Sequence, residues 1–371
     1  MKTDYINNFL KKAAVVALTF VGFTAIAQEE EIEEAKKINF SGSVDAYFRT
    51  NLDADSRPGV APATSFANGT GFSIGMANLI ASYDGEHAGV VADLVFGPRG
   101  EEAVFNSVGS AAIVNQLYGY WNASESLTLT FGNFNTFLGY EVISATGNFN
   151  YSTSYMFSYG PFSHTGLKAD IAIDDNWSAM LAVMNPTDFT ETNPFDTYII
   201  GAQLGYATDN GSAYLNFRYG NEGEPGAVGP TFQVDLTTGW DVSEEFFLGV
   251  NGTYLSTDPQ EDGDASGFYG IALYPQFKTS ESFTVGLRGE YFSEFEGGVG
   301  ALTLDDEGNG SVFAATVTGS YTVGDLTFKP EFRLDSASEN NFIDKDGEDL
   351  DLNGFNSKSL SSFTLAAIYS F

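Results

Sequence analysis

Residues 38–50 read INFSGSVDAYFRT. Phe40, Gly42, Val44, Ala46 and Phe48 fall on one side of an extended chain, and Ser41, Ser43, Asp45, Tyr47 and Arg49 on the other. Side chains alternate across a strand, so the pattern specifies a strand with one apolar and one polar face. The same period of two recurs in about sixteen segments: 38–50, 72–83, 88–96, 113–121, 127–132, 165–174, 177–185, 198–207, 212–220, 231–240, 246–256, 267–278, 283–293, 311–322, 326–334 and 360–371. Connections of two to five residues (84–87, 122–126, 175–176, 208–211, 241–245, 279–282, 323–325) alternate with longer ones at 51–71, 97–112, 133–164, 186–197, 221–230, 257–266, 294–310 and 335–359. Tight turns on one rim and long loops on the other mark an all-β, transmembrane antiparallel β-barrel. Sixteen strands are expected, or fourteen if 113–121 or 127–132 belongs to a loop.

A second regularity supports the membrane. Aromatic pairs eight residues apart lie on the apolar face: Phe40/Phe48, Tyr198/Tyr206, Phe232/Trp240, Phe246/Tyr254, Tyr269/Phe277, Phe283/Tyr291, Phe313/Tyr321 and Phe363/Phe371. Eight residues at about 3.3 Å each, tilted by about 40°, rise roughly 20 Å, close to the roughly 25 Å apolar band between the aromatic girdles of such barrels. Charge keeps the opposite parity, with Asp45, Arg49, Asp93, Lys168, Asp170, Arg218, Asp235, Lys278, Arg288, Glu290, Lys329, Glu331 and Arg333 all on the polar face. An ionised group at the lipid midplane costs several kcal/mol, whereas a polar lumen accepts it.

The chain opens with Lys2, Lys11 and Lys12, an apolar run at 13–26 and the small-x-small site Ala25-Ile26-Ala27. Residues 1–27 are therefore expected to be a signal peptide. Residues 28–37 (QEEEIEEAKK) form an acidic arm, expected in the periplasm, and 38–371 the outer-membrane barrel. Removing 1–27 takes three Lys and one Asp from the chain's 16 basic and 49 acidic residues, leaving 13 and 48, a net −35. Such charge argues against nucleic acid as a partner. The absence of cysteine excludes disulfides, thiol catalysis and a lipid anchor on Cys. No later window holds 18 consecutive apolar residues, so helical spans are not expected.

Residues 132–169 break the rhythm: GNFNTFLGYEVISATGNFNYSTSYMFSYGPFSHTGLKA. About thirty residues without strand periodicity are too long for an idle connection. Phe134, Phe137, Tyr140, Phe149, Tyr151, Tyr155, Phe157, Tyr159 and Phe162 make disorder a poor fit. The expectation is an inward-folded constriction loop, because lining the wall buries these rings. Candidate pore-lining residues are Phe137, Tyr140, Glu141, Phe149, Tyr151 and Tyr155 from the loop, with Lys168, Arg218, Arg288 and Arg333 from the wall. The loop's nearly neutral aromatic surface suits stacking against sugar rings or other neutral solutes.

Segments 132–143 and 148–169, with VMNPTD at 183–188, resemble the OmpL-like β-barrel porin family of Gram-negative bacteria, common among Bacteroidetes. The final strand, SSFTLAAIYSF, ends on Phe371 and resembles the C-terminal assembly signal of bacterial outer-membrane barrels. The resemblance implies a barrel with pore activity, and neither a settled substrate nor catalytic residues. Other chemistry is thin. Ser163 and His164 are neighbours in an extended segment and point to opposite sides, so they form no dyad with each other. His164 is expected to be a loop residue satisfied by backbone hydrogen bonds. Residues 344–351 (DKDGEDLD) alternate oxygen ligands around a Gly but lack a twelve-residue calcium loop, so a solvated acidic loop is expected.

The sequence is thus read as an outer-membrane porin, a passive diffusion channel for small hydrophilic solutes. It is read as no enzyme, without cofactor or metal. The alternative is a structural or adhesive barrel with a plugged lumen, acting through acidic surface loops. Expected partners are outer-membrane lipid, the barrel assembly machinery through Phe371, and the permeating solutes, with a homotrimer as the candidate assembly. Acidic loops at the mouth predict a modest cation preference that weakens as salt rises.

Overall fold

The computed structural model describes residues 38–55, 60–260, 262–347, 350–351 and 354–371. The expected signal peptide at 1–27 and acidic arm at 28–37 lie outside the described residues. Sixteen strands follow in chain order: β1 Asn39–Asn51, β2 Gly71–Asp84, β3 Ala88–Phe96, β4 Val114–Ser124, β5 Leu127–Asn135, β6 Ser163–Ala172, β7 Trp177–Met184 and β8 Ile199–Thr208, then β9 Gly211–Asn221, β10 Pro230–Asp241, β11 Phe246–Thr257, β12 Ser266–Ser280, β13 Phe283–Phe295, β14 Gly310–Val323, β15 Leu326–Ala337 and β16 Ser359–Ser370. The segments 113–121 and 127–132, on which the count turned, are β4 and β5, so the number is sixteen.

Each strand pairs antiparallel with the next, and β1 pairs with β16 to close the barrel. The closing register runs from Ser43 opposite Ser370 to Asn51 opposite Ser362. Beyond it, Gly42 and the terminal Phe371 exchange main-chain hydrogen bonds of 3.0 Å in both directions. Closure leaves no edge, so the backbone polar groups of the strands find partners within the wall, as a bilayer demands.

Period-two patterning becomes two surfaces. On β15, Lys329, Glu331, Arg333 and Asp335 are buried toward the lumen, while Phe332 and Leu334 are exposed on the outer face. Aromatic rings gather at both rims. Tyr206 lies 4.9 Å from Trp177 and 6.4 Å from Trp240 near the tight turns, and Phe295 lies 5.8 Å from Tyr254 and 6.4 Å from Tyr269 near the long loops. The wall is uneven in height. β10–β16 run 12–15 residues, whereas β3 and β5–β8 run 8–10.

The core of this protein is the inside of the barrel. Clusters form where long loops fold back onto inward side chains. One joins Phe66, Met76, Val95, Phe157 and Phe162; another joins Tyr155, Phe268, Phe292, Leu302, Phe342 and Leu360. After β3 the chain turns at Gly97 (φ 94°) into a short helix, Pro98–Ala103, with proline in its first turn. That helix carries Arg99 into the interior, 2% exposed.

Candidate functional site

The loop between β5 and β6 (residues 136–162) crosses the lumen, and its backbone dictates how. An irregular segment away from water needs partners for its N–H and C=O groups. Inward charges on the wall need partners equally, since an unpaired buried charge is expensive. The two requirements meet. Asp235 on β10 accepts from Gly139 N at 2.9 Å. Glu331 on β15 accepts from Tyr151 N at 2.8 Å and Ser152 N at 3.1 Å. Glu290 on β13 accepts from Tyr155 N at 2.9 Å and Met156 N at 2.8 Å. The cations take the carbonyls. Arg288 donates to Ser152 O at 2.5 Å, Arg333 to Thr153 O at 2.8 Å, Arg99 to Ile143 O at 2.7 Å, and Lys329 to Ala145 O and Asn148 O.

The loop's one acid, Glu141, pairs with Arg288 at 2.6 Å, both side chains at most 3% exposed, and its other oxygen accepts from Ser154 N at 2.7 Å. Ser154 caps the single helical turn Tyr155–Ser158 by accepting from Phe157 N at 3.0 Å. Tyr151 donates its hydroxyl to Asp45 on β1 at 2.5 Å.

Packing adds a second set of anchors. Lumen-facing glycines on the wall receive loop side chains. A methyl at Gly201 would stand 2.6 Å from the Phe137 ring, and one at Gly270 would stand 2.7 Å from Met156. At Gly249 and Gly286 it would press closer still into the rings of Tyr140 and Phe149. Tyr140 also stacks on Tyr274, with centroids 4.2 Å apart and planes at 20°. Tyr155 lies 5.7 Å from Phe292, and Tyr151 lies 5.6 Å from Tyr47.

The ten candidate residues therefore divide. Glu141, Tyr151, Tyr155, Arg288 and Arg333 are brought together and buried between loop and wall. Phe137, Tyr140 and Phe149 are half-buried in their sockets. Arg218 stands apart on β9, donating to Gln233 and to Thr187 at 2.6 Å each and pairing with Glu222. Lys168 on β6 is paired with Asp170 at 2.9 Å, and both keep solvent exposure. His164 lies in β6 rather than in a loop. Its Nε2 pairs with the Thr136 hydroxyl at 3.0 Å, not with backbone, and its ring lies 5.1 Å from Phe137.

Some contributors were not visible in the pattern of strands. Arg99 touches the loop at two carbonyls, with its guanidinium 4.6 Å from the Phe66 ring. The signal available was Gly97-Pro98, a helix start inside a long connection. Glu294 and Asp335 extend the inward parity of β13 and β15 past the strand ends expected from alternation. Glu294 accepts from Val299, Ala301 and Leu302 N, and Asp335 pairs with Arg333 at 2.8 Å.

At the long-loop rim, Asp188 holds the far end of the crossing loop, accepting from Phe162 N at 2.7 Å and Ser163 N at 2.8 Å. Its enclosure raises the carboxyl to about 7, and nearby Glu222 pushes the same way against those two amides and Arg218. Of the acidic stretch at 344–351, Asp344 turns back on itself, accepting from Asp346 N and Gly347 N, while 348 and 349 lie outside the described residues. Among the described residues no three His, Cys, Asp or Glu side chains gather as metal ligands.

The fold has solved counterparts. The outer membrane channel DcaP of Acinetobacter baumannii superposes with a TM-score of 0.57 at 13% identity, covering 92% of this chain and 99% of that one. In-vitro folded OmpT of Vibrio cholerae, in its trimer form, gives 0.56 at 10% identity, covering 91% and 100%. The anion-selective porin from Comamonas acidovorans gives 0.57 at 10% identity, covering 91% and 100%. At such identities the likeness is one of fold. No curated protein matches this chain in sequence. A family model described as "Putative beta-barrel porin-2, OmpL-like" matches residues 37–371, essentially the whole barrel, and the chain belongs to that family of outer-membrane porins.

Proposed function

We propose that the barrel is a passive diffusion channel for small hydrophilic solutes, without catalysis, delivered to the outer membrane by a signal peptide at 1–27. One observation carries the reading. The crossing loop is fastened to β8, to β10–β15 and to β1, while Lys168 at the middle of β6 and Asp170 toward its tight-turn end remain 24% and 33% exposed. Water therefore has access to the wall on the side of the lumen that the loop leaves open. Sixteen strands suit such a channel, whereas eight would be filled by side chains.

The same geometry bears on the solute. Tyr140, Tyr151 and Tyr155 already face wall aromatics, so stacking against a sugar is a lesser part of selection than width and charge. A homotrimer is the proposed assembly, by analogy with the trimer form of OmpT. Insertion through the assembly machinery would use Phe371, whose backbone closes the seam on Gly42.

The rival is a plugged structural barrel. It draws support from the depth to which the loop buries Arg288, Glu290 and Glu331, none more than 1% exposed. Planar-bilayer recording separates the two. Stepwise single-channel conductance, with reversal potentials in a potassium chloride gradient, is expected of the channel. A properly folded barrel that never conducts would establish the plugged one.

A further inference from the structure

We propose that Lys168 and Asp170, a self-neutralising pair on β6, are the charge filter of this lumen. This rests on the channel reading above. Between the rims, among the described residues, every other inward charge on the strands is at most 5% exposed; the more exposed Lys278 lies at the tight-turn rim, paired with Glu281. Each of those groups is engaged by the loop, by a neighbouring wall side chain or by a long-loop segment. Asp93, for example, accepts from Asn78, Asn115 and Gln116. A group buried in this way cannot meet a permeating ion directly, and the groups hydrogen-bonded to it offset part of its field.

The wall around the pair explains its exposure. Lys168 is flanked by Thr130 on β5 and Ala182 on β7, and Asp170 by Thr128 and Met180. These neighbours carry no charge, and none is long and polar enough to cap an ammonium or a carboxylate. The loop offers no counter-charge either, since its only ionised residue, Glu141, is committed to Arg288. Lys168 Nζ reaches Asp170 Oδ2 at 2.9 Å and stands 5.4 Å over the Phe134 ring, which fixes it from one side and leaves the lumen side open. Opposite charges two residues apart nearly cancel for a passing ion. Removing either one leaves the other bare in a narrow, poorly screened passage.

Selectivity should therefore move in opposite directions for the two single variants. Lys168→Cys is expected to raise the potassium-to-chloride permeability ratio, and Asp170→Asn to lower it. The chain has no cysteine, so an introduced one can be read without background. In folded barrels, Lys168→Cys is expected to react with a charged, water-soluble methanethiosulfonate, and the attached sulfonate or ammonium should shift the ratio in its own direction. Thr316→Cys serves as the buried reference. Thr316 is 0% exposed and accepts from Arg288 at 3.2 Å. Its reaction should be roughly tenfold slower or more, because it waits on local opening.

Mass spectrometry of the labelled barrel reads reactivity whether or not the barrel conducts, which keeps this inference separable from the channel reading. If Thr316→Cys labels as fast as Lys168→Cys, or if both charge variants leave the permeability ratio of a conducting barrel unchanged, the pair is not the filter. Asp170→Asn, close to isosteric, carries the electrical test should Lys168→Cys not assemble. A wild-type barrel without conductance overturns the channel reading instead.

Discussion

The β10–β15 wall and the β4–β7 wall carry the same alternation of apolar and polar residues, yet their inward charges do different work. Under the loop, Asp235, Glu290 and Glu331 act as ligands for backbone amides, and Arg288, Lys329 and Arg333 as ligands for carbonyls. On β6, Lys168 and Asp170 answer each other and keep contact with water. The tall strands take most of the loop's backbone hydrogen bonds, while the short β7 and β8 meet it mainly through packing on Phe137. Interior charge in this barrel thus stands in two settings, holding a largely irregular loop or facing water. Exposure, not parity, tells them apart.

The largest disturbance of this contrast is removal of the loop. Deleting residues 139–155 frees the β10–β15 charges to hydrate, and the conductance of an assembled barrel is expected to rise several-fold. Bilayer recordings that show unchanged conductance would place the loop outside the pore.

A finer break targets the ion pair within the loop. Glu141→Gln leaves Arg288 without its partner in a site where both are almost fully buried. Losing one partner of such a pair costs about 3 kcal/mol or more. The denaturation midpoint of the folded barrel should fall, and open-channel noise should rise as the loop loosens. Lys278→Gln is the matching control, since its pair with Glu281 lies at an exposed rim. Exposed pairs are worth roughly 0–1 kcal/mol, so its midpoint should scarcely move.

Gly286→Val against Gly289→Ala sharpens the comparison at smaller amplitude. Gly286 faces Phe149 across the lumen side, whereas a methyl at Gly289 meets nothing within 4 Å. Overpacking costs about 1–3 kcal/mol. Gly286→Val should lower the midpoint accordingly and displace the loop, while Gly289→Ala should behave as wild type.

The smallest expected effect is a pH dependence at the rim. The docked state of Asp188 has its carboxyl raised to about 7 by enclosure, against the ordinary carboxylate range near 4. A raised carboxyl binds its proton more tightly when docked. Its contribution is therefore fully present below about pH 4 and is lost as pH rises through 7. Arg218 and Glu222, paired with each other, face the same site. Hydrogen exchange at the Phe162 and Ser163 amides, corrected for its intrinsic pH dependence, should be faster at pH 8 than at pH 5. Asp188→Asn keeps both acceptor bonds and should abolish the difference.

Much of this was legible in residue order. Strand ends fall within three residues of those read from alternation, because lipid on one side and a polar lumen on the other penalise every parity error along a strand. The prolines did not disturb that reading. Pro275 and Pro330 sit inside β12 and β15, where the ladders to β13 and β14 each skip two pairs. Residues 132–169 were recognisable as an ordered insertion by their rings. The part played by Arg99 was not, since nothing in Pro98-Arg99-Gly100 says which interior carbonyls it will meet.

Sequence by itself determined the barrel, a strand number of sixteen or fourteen, the two faces of the wall and the presence of one aromatic loop too long to be a turn. These are local properties, set by a period of two and by the price of charge in lipid. Only the tertiary structure decided which inward charges are spent on the loop and which still face water. Lys168 and Arg288 have the same parity, charge and depth of pattern. They differ because the loop leaves β5, crosses to the far wall and returns to β6, so most of its amides and carbonyls are presented to the β10–β15 side.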